Sequence, residues 1–226
     1  MDLPGMESMR AADFFKNVVY KPPFSRLHPQ EAVFLYNLLK HEKIRIFSNR
    51  HVLNTHFPPY PSAAFDNLVD HFRSVGEPEQ LQLYSVTLAV TNRCDYNCWH
   101  CYNAGRSQED MPFEALARVI RELQVMGAVM VTLTGGEPLL RQDLEQIVGL
   151  FSDRTCLTLN TTGAGLTCER ARSLGAKGLF AAGISIDSHD PLEHDRLRGT
   201  KGAFETAADA LAAAADSGLY PYIVTV

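Results

Sequence analysis

Cys94-Asp95-Tyr96-Asn97-Cys98-Trp99-His100-Cys101 places three thiols within eight residues, spaced C-x3-C-x2-C. Spacing this short lets all three turn toward one centre, and soft sulfur ligands select iron–sulfur clusters, zinc or Cu(I). A cubane cluster held by three thiolates keeps one iron free of protein ligands. That is the open position that separates catalytic metal sites from closed structural ones. His100 lies between two of the cysteines, so a Cys3His zinc site is the competing reading. Adjacent residues rarely both bend back to one tetrahedral ion, however, and no second C-x2-C pair exists in the chain to complete a paired zinc site.

Working outward, the triplet follows an alternating apolar run, Leu83 to Thr91, and so belongs to a loop at the end of a strand. About thirty residues on, at the length of a βαβ unit, a second strand-like run, Val129 to Thr134, ends in Gly135-Gly136-Glu137-Pro138. Between them Pro112 opens a helix with the stripe Phe113, Leu116, Val119, Ile120 and Leu123, and Gly127 is placed to cap it. The alternation continues with a helix carrying Leu144, Ile147, Val148 and Phe151, then strands at Thr155–Asn160 and Leu179–Ile186. An Ala-rich helix from Ala203 to Ser217 follows, closed by Gly218, and a fifth strand starts at Leu219. Strands alternating with helices predict a parallel sheet.

Taken together, the cysteine triplet and GGEP, in this order and at βα spacing, resemble the radical S-adenosylmethionine (radical SAM) enzymes over roughly Leu83 to Val226. The resemblance implies an α/β fold, a partial (β/α) barrel of which about four and a half βα units are present. It implies a [4Fe–4S] cluster on Cys94, Cys98 and Cys101, with S-adenosylmethionine bound at the free iron. Reductive cleavage then gives a 5′-deoxyadenosyl radical that takes hydrogen from a substrate. By the same resemblance, Gly135, Gly136 and Glu137 hold the methionyl ammonium, with glycines that allow close backbone approach. Electrons would come from a flavodoxin or ferredoxin.

Further positions follow the family's pattern less strictly. Asn160-Thr161-Thr162-Gly163 carries Thr162 where many members have Asn. Gly183-Ile184-Ser185-Ile186-Asp187-Ser188 matches the fourth strand, with Ser185 and Asp187 on one side by period-two alternation. Ser185 is expected to donate to the SAM carboxylate or ribose. Asp187 either shares that face or caps the following turn. His194-Asp195-Arg196-Leu197-Arg198-Gly199 resembles the HDxxRG stretch of peptide-modifying (SPASM-type) members. Arg198 is then either a fork donor to the SAM carboxylate or a solvated surface arginine. His100 stands where many members stack an aromatic ring on adenine, and Trp99 is expected to pack under the loop.

Residues 1–80 read as a separate small module, mostly helical or mixed, before a core at 81–226. Its prolines break it into short pieces, a helix over Gln30–Glu42, a hairpin within Lys43–Leu53, and a helix capped by Ser62 with the stripe Phe65, Leu68, Val69, Phe72 and Val75 ending at Gly76. The five histidines there form no ligand-like spacing. A net charge of −5 gives no basic footprint for nucleic acid or anionic membrane. No run reaches transmembrane length and no leader pattern opens the chain, which predicts a cytoplasmic protein with reduced thiols. Cys156 and Cys168 read as small core residues.

The chain stops inside its fifth predicted strand, so a fragment, or a partner covering that edge, is expected. The predicted activity is radical SAM oxidoreduction of a peptide, as in maturases. A radical SAM enzyme for a small molecule and a non-catalytic SAM- or metal-binding protein are the alternatives.

Overall fold

A computed structural model describes residues 7–74, 83–105 and 109–226. The chain divides into two compact units, one of 1–85 with 123–130 and 153–156, the other of 86–122, 131–152 and 157–226.

In the first unit, strand β1 (Ser8–Arg10) and helix α1 (Ala11–Val18) precede helix α2 (Pro29–Leu39), strands β2 (Lys43–Phe47) and β3 (Arg50–Val52), and helix α3 (Ala63–Ser74). The hairpin expected within Lys43–Leu53 forms, with Ser48 and Asn49 both at positive φ, the signature of a tight two-residue turn. Strand β1 adds antiparallel to β2. Neither β1 nor α1 was expected, because segments so short carry too few periods to stand out. The Ser62 cap is present, its Oγ accepting from Phe65 N at 3.0 Å. Val75 and Gly76 lie outside the described residues. Helix α2 is shorter than expected and only partly amphipathic. Leu35 and Leu39 are buried, while Val33 and Leu38 are exposed. The core is aromatic, with Phe14, Phe24, Tyr60 and Phe65 meeting edge-to-face or tilted at centroid distances of 5.1–5.8 Å.

The second unit carries a five-stranded sheet, with strands β4 (Ser85–Thr91), β5 (Met130–Gly135), β6 (Cys156–Thr161), β7 (Leu179–Ser185) and β8 (Tyr220–Val224) side by side in chain order. The β6–β7 and β7–β8 pairs are parallel, with Ile184 opposite Ile223 and Ser185 opposite Val224. Helices α4 (Phe113–Val125), α5 (Leu144–Val148), α6 (Cys168–Ala176), α7 (Pro191–Arg198) and α8 (Ala203–Asp216) connect them. The expected α/β alternation is thus observed, with strand ends shifted by one or two residues. Side-chain periodicity marks a strand's face but not where its hydrogen-bond ladder stops.

Two helices differ from expectation. Helix α5 ends at Val148, before Phe151, where Gly149 serves as its C-cap. Helix α7 was not foreseen. Its sequence PLEHDRLR holds only two leucines, five residues apart, so no apolar period announces it. It is specified by its ends instead. Asp190 accepts from Leu192 N at 2.9 Å, Pro191 opens the first turn, and Gly199 closes it in the left-handed region at φ 63°.

Small side chains bring α8 close to the sheet's rim. Ala203, Ala207, Ala210 and Ala214 are buried, and a Cβ placed on Gly163, just past β6, would stand 2.6 Å from the Ala210 Cβ. These close approaches fix the carboxyl ends of the strands. In open parallel sheets and (β/α) barrels that edge is where ligands are taken.

Candidate functional site

Every predicted site residue but Arg198, which ends helix α7, lies at or just past the carboxyl end of a strand. The cysteine loop follows β4, Gly135-Gly136-Glu137 ends β5, Thr161-Thr162-Gly163 ends β6, and Ser185 ends β7 with Asp187 two residues beyond.

The loop's start is held by Asp110, a residue the sequence reading did not single out. Its carboxylate accepts from Thr91 Oγ1 at 2.7 Å, Asn92 N at 3.2 Å and Arg93 Nε at 3.1 Å. Burial pushes the Asp110 carboxyl up, but the Thr91, Asn92 and Arg93 donors outweigh it and hold the group below its ordinary value. Arg141 adds a second buried clamp. Its guanidinium donates to Val90 O at 2.7 Å and Met111 O at 3.0 Å and pairs with Asp143.

Gly135 and Gly136 prove indispensable to the chain itself. A Cβ on Gly135 would lie 2.1 Å from Thr91 O, and one on Gly136 the same distance from Arg93 O. Their backbone closes directly on the root of the cysteine loop, through Gly136 N to Thr91 O at 2.8 Å and Glu137 N to Arg93 O at 2.7 Å. The Glu137 side chain turns inward and is almost fully buried. Its Oε1 accepts from Leu139 N at 3.0 Å and Thr161 Oγ1 at 2.6 Å, and its Oε2 from the N and Oγ1 of Thr162, both at 2.7 Å. Thr162, the departure from the usual Asn, therefore ties β6 to β5.

The loop's far side rests on α7. Trp99 N donates to Leu197 O at 3.2 Å, and Asn97 O stands where a Cβ on Gly199 would be, 2.3 Å away. Gly199 is thus required twice, by its left-handed cap and by this contact. Arg198 is buried, not a solvated surface residue. Its Nη2 donates to Asp187 Oδ1 at 2.9 Å and its Nη1 points to Cys98 Sγ at 3.8 Å. Asp187 does not cap the following turn, a role taken by Asp190. The Asp187 backbone N–H donates to His194 Nδ1 at 3.2 Å. Burial, then the Arg198 charge, push the pKa of His194 down, so it stays neutral and can accept that bond. His100 Nε2 lies 3.9 Å from Asp187 Oδ2. Trp99 does not pack under the loop. It is 73% exposed, because the loop turns its outer face to solvent.

Cys94 is the most exposed of the three thiols, Cys98 and Cys101 being half-buried. The protein around Cys94 still pushes its thiol up, first by burial, with Glu137, Cys98 and Cys101 adding to the shift. The three sulfurs and the Glu137 carboxylate are therefore electrostatic neighbours. Among the described residues no three His, Cys, Asp or Glu side chains, the three cysteines included, gather closely enough to hold one metal ion. The donor chemistry fits a larger sulfur-ligated centre, with three soft ligands on one loop and no hard carboxylate among them. Among residues that meet one another here, His100 Nδ1, Asp187 Oδ2 and Arg198 Nε are buried polar atoms without a hydrogen-bond partner. Orphaned buried groups of this kind mark a site that a ligand or water completes.

Comparison with known proteins adds a family. The model of the Radical SAM superfamily matches residues 88–226. A protein named probable GTP 3′,8-cyclase from Methanocella arvoryzae is 32% identical over 142 residues, which cover 62% of this chain and 46% of that protein. The chain thus spans less than half the length of this curated relative. Streptococcus suis SuiB bound to S-adenosylmethionine superposes with a TM-score of 0.57 at 17% identity, over 70% of this chain and 38% of that one. SuiB bound to its precursor peptide SuiA gives 0.57 at 16% identity, over 94% and 45%. At such identities these structures speak for the fold alone.

Proposed function

Since this chain belongs to the radical SAM superfamily, we propose that Cys94, Cys98 and Cys101 hold a [4Fe–4S] cluster and that the protein carries out reductive cleavage of S-adenosylmethionine. That cluster and S-adenosylmethionine are the superfamily's cofactors. When bound, they supply a carbon radical able to take hydrogen from an unactivated position. The chain's own residues then do the positioning. Arg141 and Asp110 fix the root of the cysteine loop, Gly136 and Glu137 lock it to β5, and α7 supports it from the other side.

Both oxygens of Glu137 are taken up by four donors of the protein, so a sulfonium ligand's ammonium would share that carboxylate with them. Asp187, Arg198 and His100 lie together beside the loop, and Asp187 Oδ2 and Arg198 Nε, without a hydrogen-bond partner among the described residues, are the groups offered to a polar ligand, with Ser185 two residues before Asp187. The observation that carries this reading is the docking of the β5 turn from one side and α7 from the other on one three-cysteine loop.

A substrate follows less directly. The peptide reading draws on the strand-four pattern followed by the His194–Gly199 stretch, and here Arg198 and Gly199 also serve the cysteine loop, a role independent of the substrate. The name of the Methanocella relative favours a small molecule such as a purine nucleotide. Anaerobic reconstitution with iron and sulfide, followed by dithionite and S-adenosylmethionine, is expected to give a brown protein that releases 5′-deoxyadenosine. Cys98→Ala should lose both colour and release. A Cys98→Ala protein that keeps either would refute the assignment. Release raised by GTP but not by peptides would favour the nucleotide reading, and the converse the peptide one.

A further inference from the structure

The pair Arg198–Asp187 is buried at considerable cost. The Asp187 side chain is 3% exposed and that of Arg198 8%, and the two meet at 2.9 Å. Yet the pair is incompletely satisfied, since Arg198 Nε and Asp187 Oδ2 have no hydrogen-bond partner among the described residues. A buried ion pair is weak evidence for stability, and one with orphaned donors and acceptors is weaker still. Its placement is more telling than its energy. One guanidinium nitrogen faces Asp187 while another points at Cys98 Sγ, 3.8 Å away and 100 residues distant in sequence.

We infer that Arg198 and Asp187 are positioning residues that set the reduction potential of the centre held by Cys98, acting in opposite directions. This rests on the proposed cluster. Reduction adds one electron, and with it one negative charge, to the thiolate-bound centre. A cation donating to the ligating sulfur stabilises that added charge, and hydrogen bonds to cluster sulfurs and net charge are established levers on such potentials. The carboxylate behind the cation opposes it. Burial of both keeps solvent from screening either effect. His100 and His194 face the same carboxylate region, and His194, held neutral, adds no further charge.

The test is an anaerobic, dye-mediated dithionite titration of the reconstituted full chain. The reduced cluster is followed by electron paramagnetic resonance, without S-adenosylmethionine so that no ligand competes for Arg198. Arg198→Gln should move the one-electron midpoint to more negative values, and Asp187→Asn to less negative ones. Arg198→Lys, which keeps the charge but loses the planar fork, should fall between wild type and Arg198→Gln. A loop merely loosened by substitution would not produce shifts of opposite sign. If Asp187→Asn does not fold, the order of the two Arg198 variants carries the test alone. Unchanged midpoints in Arg198→Gln, or shifts of the same sign in both positions, overturn the inference while leaving the cluster in place. A wild-type protein that takes up no iron and sulfide removes the cluster and this inference together.

Discussion

Replacing Glu137 by Gln removes the charge at the node where β5 meets β6 while changing almost nothing in shape. The carboxylate takes four donors, two on each oxygen, and it is 2% exposed. An amide can accept only on its single oxygen. Whichever way it is turned, its NH2 end faces one backbone N–H, either Leu139 or Thr162, and one threonine hydroxyl. The hydroxyl can rotate and accept, but the backbone N–H cannot.

One stranded buried N–H costs about 1–3 kcal/mol, and each of the two surviving bonds loses charge assistance of about 1 kcal/mol. The expected destabilisation is therefore about 3–5 kcal/mol, or a fall in Tm of about 10 °C for a chain of this size. Thr162→Val removes one hydroxyl donor and keeps the Thr162 N–H bond, so about 1–2 kcal/mol is expected there. The double variant should cost less than the sum, because both changes strike one network. Thermal and urea unfolding followed by circular dichroism measure all three. A Glu137→Gln protein within about 0.5 kcal/mol of wild type, or effects that simply add, would refute this account of the turn.

Two further outcomes follow from neighbouring contacts. Asp110 has a depressed folded-state pKa, so its contribution is fully present above the unfolded value of about 3.9 and disappears as pH falls through the folded value. The stability gap between wild type and Asp110→Asn should stay level above about pH 5 and close below about pH 4; urea midpoints across that range measure it, and a gap that widens in acid contradicts the assignment. Gly163→Ala must place a Cβ at φ +93° and 2.6 Å from the Ala210 Cβ, so a loss of about 2–4 kcal/mol is expected by the same unfolding assays.

The cysteine spacing, the GGEP turn and the strand–helix alternation are local patterns, and the chain alone determined them. A period of two or 3.6 records which face is buried, and a short ligand spacing survives any change of surroundings. Partnership across long sequence separations was decided only by the folded molecule. Glu137, expected to meet a ligand, also receives Leu139, Thr161 and Thr162. Gly135 and Gly136, expected to let a ligand approach, also make room for Thr91 and Arg93. Arg198 and Gly199 looked like a family signature and reach Cys98 and Asn97. Helix α7 has no apolar stripe to betray it, and Asp110 is one acid among many until Thr91, Asn92 and Arg93 surround it. A residue's type limits the bonds it can make, but which bonds it makes depends on what packing brings within about 3 Å of it, and no pattern along the chain encodes that.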